Sequence, residues 1–109
     1  MADYEKKEGK GSLWSDQDAK VINKGSIYLD GKDEYFTILK GKDGQGRDKL
    51  ELLKSVGLIY ANKEKLHEGS PDVGGKVLVN GERYKFGGWK RTTEDGREWV
   101  SAGLDPIKE

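Results

Sequence analysis

Arg83, Lys85, Gly87 and Trp89 stand at every second position of one run, with Tyr84, Phe86 and Gly88 between them. Alternate residues of an extended strand share a face. Two cations, a bare glycine and an indole would then lie together, while Tyr84 and Phe86 face a core. That is the composition of a platform on which nucleic-acid bases stack, at ~1–3 kcal/mol per base, while neighbouring cations follow the phosphates. Lys90, Arg91 and Arg97 fall near the same end and extend the stripe. A structural reading stands beside this one: Trp89 caps a barrel mouth or packs under the N-terminal segment, and the cations face water, since tryptophan is mostly buried.

Other chemistry finds less support. Gly46-Arg47 and Gly96-Arg97 form a symmetric pair. Two arginines in matching frames would suit a phosphate or a carboxylate held bidentately, or simple hairpin salt bridges to Asp48, Asp95 or Glu98. His67 is the only histidine and there is no cysteine, so thiolate chemistry is excluded and no ligand set or relay is spaced around the imidazole. Gly41-Lys42-Asp43-Gly44-Gln45-Gly46 lacks the Gly-Lys-Ser/Thr ending of a phosphate loop and reads as a long hairpin turn. The many carboxylates show no spacing that singles out a catalytic pair. A non-enzymatic protein without metal or cofactor is the expectation.

The elements that must position these residues come from a repeat. Gly25-Ser26-Ile27-Tyr28-Leu29-Asp30-Gly31 returns fifty positions later as Gly75-Lys76-Val77-Leu78-Val79-Asn80-Gly81. Phe36 falls on Phe86, Lys40 on Lys90, Gly46-Arg47 on Gly96-Arg97 and Leu50 on Val100. Gly11-Ser12-Leu13-Trp14 matches Gly57-Leu58-Ile59-Tyr60 at a spacing of forty-six, because the following loop is four residues longer in the second copy. Asp30-Gly31 and Asn80-Gly81 are hairpin signals between apolar runs. Each copy therefore reads as four short strands, residues 11–56 and 57–106, after a flexible lead-in at 1–10. Leu50, Leu52, Leu53 and Val56 would also suit one face of a short helix, but the equivalent Trp99-Val100-Ser101 reads as strand, and the repeat favours strand. Val21-Ile22 is either an extra edge strand or a loop anchor.

With 109 residues, the chain is one domain's worth. The hydrophobic share is 33% against 37% charged, so the core must be thin. A unit of about fifty residues is too small to bury a core alone, so the two copies are expected to complete each other. The expected fold is all-β: about eight strands in a compact barrel or two-sheet sandwich, built from two four-strand units related by a pseudo-twofold axis. Twenty basic and twenty acidic residues cancel, which argues against a wholly basic nucleic-acid binder but not against a local basic stripe. No apolar run is long enough to cross a membrane as a helix, and the first residues lack a signal-peptide core, so a cytoplasmic protein is expected.

The second copy resembles a family of small phage and conjugative-plasmid proteins grouped as a domain of unknown function. The resemblance runs over Gly57-Leu58-Ile59-Tyr60-Ala61-Asn62, Pro71-Asp72, Gly75, Asn80-Gly81, Tyr84, Trp89-Lys90-Arg91-Thr92-Thr93, Gly96 to Ser101 and Leu104-Asp105-Pro106. The first copy departs from it: Leu39 replaces the tryptophan and no Pro-Asp precedes Gly25. The resemblance implies a mobile-element origin and an all-β domain, with no established activity. Two functions follow as expectations. One is sequence-indifferent binding of single-stranded nucleic acid through Arg83, Lys85, Trp89, Lys90, Arg91 and Arg97. The other is binding or inhibition of a host or viral protein, with exposed aromatics as interface anchors.

Overall fold

The computed structural model describes residues 7–108. Among them every regular element is a strand. In chain order these are β1 (Lys10–Trp14), β2 (Lys20–Leu29), β3 (Lys32–Lys42), β4 (Asp48–Lys54), β5 (Gly57–Ala61), β6 (Val73–Val79), β7 (Glu82–Thr92) and β8 (Glu98–Pro106). The all-β expectation of eight strands holds, and the 50–56 segment is strand through Lys54 rather than helix. Two antiparallel sheets result, one ordered β1-β8-β7-β6-β5 and one ordered β2-β3-β4. Neither closes on itself. They belong to two compact units: the chain up to Ser15 together with the chain from Val56 onward, and Asp16–Ser55.

The fifty-residue offset is a register identity. Gly25 pairs with Phe36 and Gly75 with Phe86; Phe36 pairs with Lys54 and Phe86 with Leu104. The turns enforce it. Asp30 and Gly31 lie at φ 49° and 81°, Asn80 and Gly81 at φ 52° and 82°, the left-handed pair of a two-residue type I′ hairpin. At the other end Asp43 N donates to Arg47 O and Gly46 N to Asp43 O, and Thr93 N donates to Arg97 O and Gly96 N to Thr93 O. The side chain at the first position completes each turn. Asp43 Oδ1 accepts from Gln45 N and Arg47 N, at 2.8 and 2.9 Å, and Thr93 Oγ1 accepts from Arg97 N at 2.9 Å. Val21 and Ile22 extend β2 beyond a bulge between Val21 and Asn23.

The first strand of each copy breaks the symmetry. β5 pairs with β6, as a self-contained four-strand unit requires, but β1 pairs with β8 instead of β2. The first copy is therefore a three-strand meander, and its opening strand completes the sheet of the second copy. The connections differ as well. After β5, residues 62–72 are bonded back to the sheet: Asn62 N donates to Asp72 O and Asp72 N to Gly88 O. The link between β1 and β2 is shorter, and Val21-Ile22, at the positions of Pro71-Asp72, already belong to β2. β1 is held on β8 by Ser15 N to Glu98 O and by Leu104 N to Gly9 O as well as by its ladder. The lead-in expected at 1–10 is thus already a turn at residues 7–10, with Lys10 N bonded to Lys7 O; its first six residues lie outside the described ones.

In the five-stranded sheet one face gathers Leu13, Val100, Ala102, Leu104, Phe86, Val73, Val77 and Ile59. Val77 is the one buried hydrophobic residue among the described residues. Gly88 belongs to this face, and a Cβ there would meet Val73, Val100 and Phe86 within 3.2 Å, so the absent side chain lets three strands pack.

The hairpin turns yield a stability test. Gly81→Ala places a Cβ in open space, so only its left-handed backbone resists the change. It should cost ~1–2 kcal/mol in urea denaturation, whereas Gly44→Ala, at an ordinary φ and equally open, should cost far less.

Candidate functional site

The opposite face of the five-stranded sheet carries different chemistry. Directly paired residues share a face, and Trp14 pairs with Trp99, which pairs with Arg91. One pleat along, Ser12 pairs with Ser101 and Ser101 with Trp89. Lys10, Gly103, Gly87 and Gly74 form the next row, and Asp105, Lys85 and Lys76 the one after. All three tryptophans of the chain therefore lie on one face, with Lys10, Lys76, Arg83, Lys85 and Arg91 among them. Arg97, just before β8, joins them. Its guanidinium carbon sits 5.1 Å from the Trp14 ring centroid. The Trp14 and Trp99 rings stack at 5.5 Å between centroids with 24° between planes. Arg97 is further steadied by Asp95, whose Oδ2 lies 3.3 Å from Nε. Trp14 remains 51% exposed.

Trp89 is engaged differently. Its Nε1 donates to Gly69 O at 2.9 Å, and its ring passes over Gly87, where a Cβ would come within 3.1 Å of it, with Pro71 beside the same spot. Asp72 completes the clasp: Oδ2 accepts from Lys90 N at 2.7 Å, and Oδ1 meets Lys65 Nζ at 3.1 Å. Asn62 Nδ2 donates to Pro71 O at 3.1 Å. The bond from the Lys90 N–H, and after it the Lys65 side chain, hold the Asp72 carboxyl below its ordinary value of 3.8. The Pro-Asp pair and the tryptophan missing from the first copy are thus parts of one device, which fastens the 62–72 loop to β7.

The expected stripe is redistributed. Arg83, Lys85 and Trp89 share the face that alternation assigned them, Arg91 extends it opposite Trp99, and Arg97 reaches it from the turn. Lys90 alternates to the opposite face, paired with Val100, and contributes its backbone N–H to the clasp. Trp89 packs against its own loop, with no barrel mouth to cap; the first six residues of the N-terminal segment lie outside the described ones. Trp14, the exposed tryptophan, and Trp99 stacked on it are not among the residues that the sequence pattern singles out. Alternation through Glu98-Trp99-Val100-Ser101 separates Trp99 from apolar Val100, but nothing local joins it to Trp14, eighty-five residues earlier. Among the described residues Arg47 has an ion pair to Asp43 at 2.9 Å and no aromatic partner: no strand lies beside β4 as β1 lies beside β8 to supply an equivalent of Trp14.

Among the described residues no group of three His, Asp or Glu side chains is placed to hold a metal ion. No family model, curated protein or solved structure matches the chain, so the resemblance of residues 57–106 rests on its own residues.

Two measurements probe the clasp. Trp89→Phe keeps the ring but removes the bond to Gly69, and should lower stability by ~0.5–1.5 kcal/mol. Because Asp72 titrates lower in the folded than in the unfolded chain, its contribution is complete above 3.8 and disappears as pH falls through the depressed folded value. The Lys90 amide resonance should therefore titrate with a midpoint below 3.8, and the step should vanish in Asp72→Asn.

Proposed function

We propose that the chain binds single-stranded nucleic acid, without catalysis and without sequence preference, on the tryptophan-bearing face of its five-stranded sheet. The observation that carries this reading is the gathering of Trp14, Trp89 and Trp99 with six cations, Lys10, Lys76, Arg83, Lys85, Arg91 and Arg97, on and beside one face. Against them stand two acids, Asp105 in the same strand rows and Asp95 paired with Arg97. The zero net charge of the whole chain thus conceals a locally basic surface, which is what attracts a polyanion. Bases stack on indole surface whatever their identity, and the cations follow the phosphates. Arg97 is suited to both tasks: its flat guanidinium is seated on Trp14, and its terminal N–H groups offer a fork to a phosphate. The mobile-element setting suggested by residues 57–106 accords with a protein that handles exposed single strands in its host's cytoplasm.

The platform occurs once. The first copy offers Tyr35, Thr37 and Leu39 at the positions of Lys85, Gly87 and Trp89, and Lys49 at that of Trp99. Binding should therefore be lopsided. Fluorescence anisotropy with a labelled oligo-dT at low salt tests it. Trp14→Ala and Trp99→Ala should each weaken binding ~5- to 100-fold, as loss of one stacking surface implies. Arg97→Ala should weaken it clearly and Arg47→Ala by less than about twofold. With three phosphates engaged, log K should fall against log salt with a slope of roughly −2. Absence of binding up to about 100 µM would remove the proposal. Retention of a host or viral protein partner through nuclease treatment, in that case, would favour a protein-binding role for the same aromatics.

A further inference from the structure

Beside the tryptophan rows, under the loop that the clasp fastens down, the same face is hollow. Tyr60, Asn62, Ser70, Pro71, Gly74 and Lys85 line a cavity of about 490 Å³. That volume is within the range of ligand-binding clefts, roughly 300–1,000 Å³. Its walls are mixed. Tyr60, 68% exposed on the outermost strand, brings a flat aromatic ring, and Gly74 leaves the sheet bare between Tyr60 and β7. Asn62 uses Nδ2 on Pro71 O, which leaves Oδ1 as an acceptor at the rim.

A second observation, independent of the cavity, points to an anion. Lys76 and Lys85 are direct cross-strand partners. Like charges so placed destabilise a sheet. Asp105, on the far side of Lys85, supplies one carboxylate beside two ammonium groups. The identical register of the three-stranded sheet holds Ser26 opposite Tyr35, so nothing in the hairpin itself demands two lysines.

We propose that this cavity takes one nucleotide of the bound strand, its base against Tyr60 and its phosphate on the Lys76–Lys85 pair. The inference rests on the single-strand reading above and adds a defined seat to it. From β1 to β5 there are four strand spacings, about 19 Å, so a strand crossing the tryptophan rows can place another nucleotide in the cavity. Lys85, on β7, then serves both the basic face and the cavity.

The test titrates isotope-labelled protein with thymidine 5′-monophosphate and, separately, with oligo-dT. The mononucleotide at millimolar concentration should shift the amides of Asn62, Ser70 and Gly74. Thymidine without its phosphate should bind more weakly. Tyr60→Ala and Lys85→Gln should each weaken mononucleotide binding about tenfold while leaving the spectrum dispersed, which separates lost binding from lost folding. Mononucleotide shifts at the cavity with no oligo-dT binding would uphold the seat and sink the platform. Oligo-dT binding with mononucleotide shifts absent, or confined to Trp14 and Trp99, would overturn the seat and leave the platform standing.

Discussion

The pairing of β1 with β8 is the constraint on which the functional face depends. Lys10 and the first four residues of the first copy lie along the last strand of the second, in a register that sets Lys10 against Gly103 and Trp14 against Trp99. Without that ladder the indoles would be separate side chains on separate elements, and Arg97 would be another hairpin arginine like Arg47. With it, a cation and two rings are layered at one end of the sheet. The same ladder places Leu13 against Val100 on the other face, so one strand contributes to both the apolar and the basic side.

The two faces differ because of small residues as much as large ones. On the apolar side Gly88 admits Val73, Val100 and Phe86; on the basic side Gly87 admits the Trp89 ring, and Gly103 leaves room for the Lys10 side chain. Adjacent glycines on β7 thus serve opposite faces, as strict alternation requires. The clasp uses the strand's backbone as well: the N–H of Lys90 and the carbonyl of Gly88 are engaged by Asp72, while the side chains around them remain available to each face.

Much of this was legible from residues. The Asp-Gly and Asn-Gly turns, together with the fifty-residue offset, implied hairpins whose observed registers agree pair by pair. Alternation from Arg83 to Trp89 assigned the correct faces within β7. What local pattern could not supply was the partner of β1. Lys10–Trp14 is five residues with no turn chemistry to tie it to one neighbour, and the strand it pairs with lies eighty-five or more positions away. The error about the first four-strand unit and the omission of Trp14 and Trp99 have that one origin. Lys90 lies off the stripe for a simpler reason: it follows Trp89 directly, so alternation turns it to the other face.

The order in which the strands are joined has a consequence for the chain as it is made. The β2-β3-β4 meander and the β6-β7 hairpin use contacts close in sequence, which form quickly. The β1–β8 ladder is the opposite, a long-range pairing whose two halves are translated eighty-five or more residues apart. At ~5–20 residues per second, β1 waits several seconds for its partner. Through that interval Leu13 and Trp14 have no ladder to enter, and the stacked rings do not exist on the nascent chain. The surface that would hold a nucleic acid is thus absent until β8 has been made, since translation must deliver Trp99 before Trp14 has its partner strand.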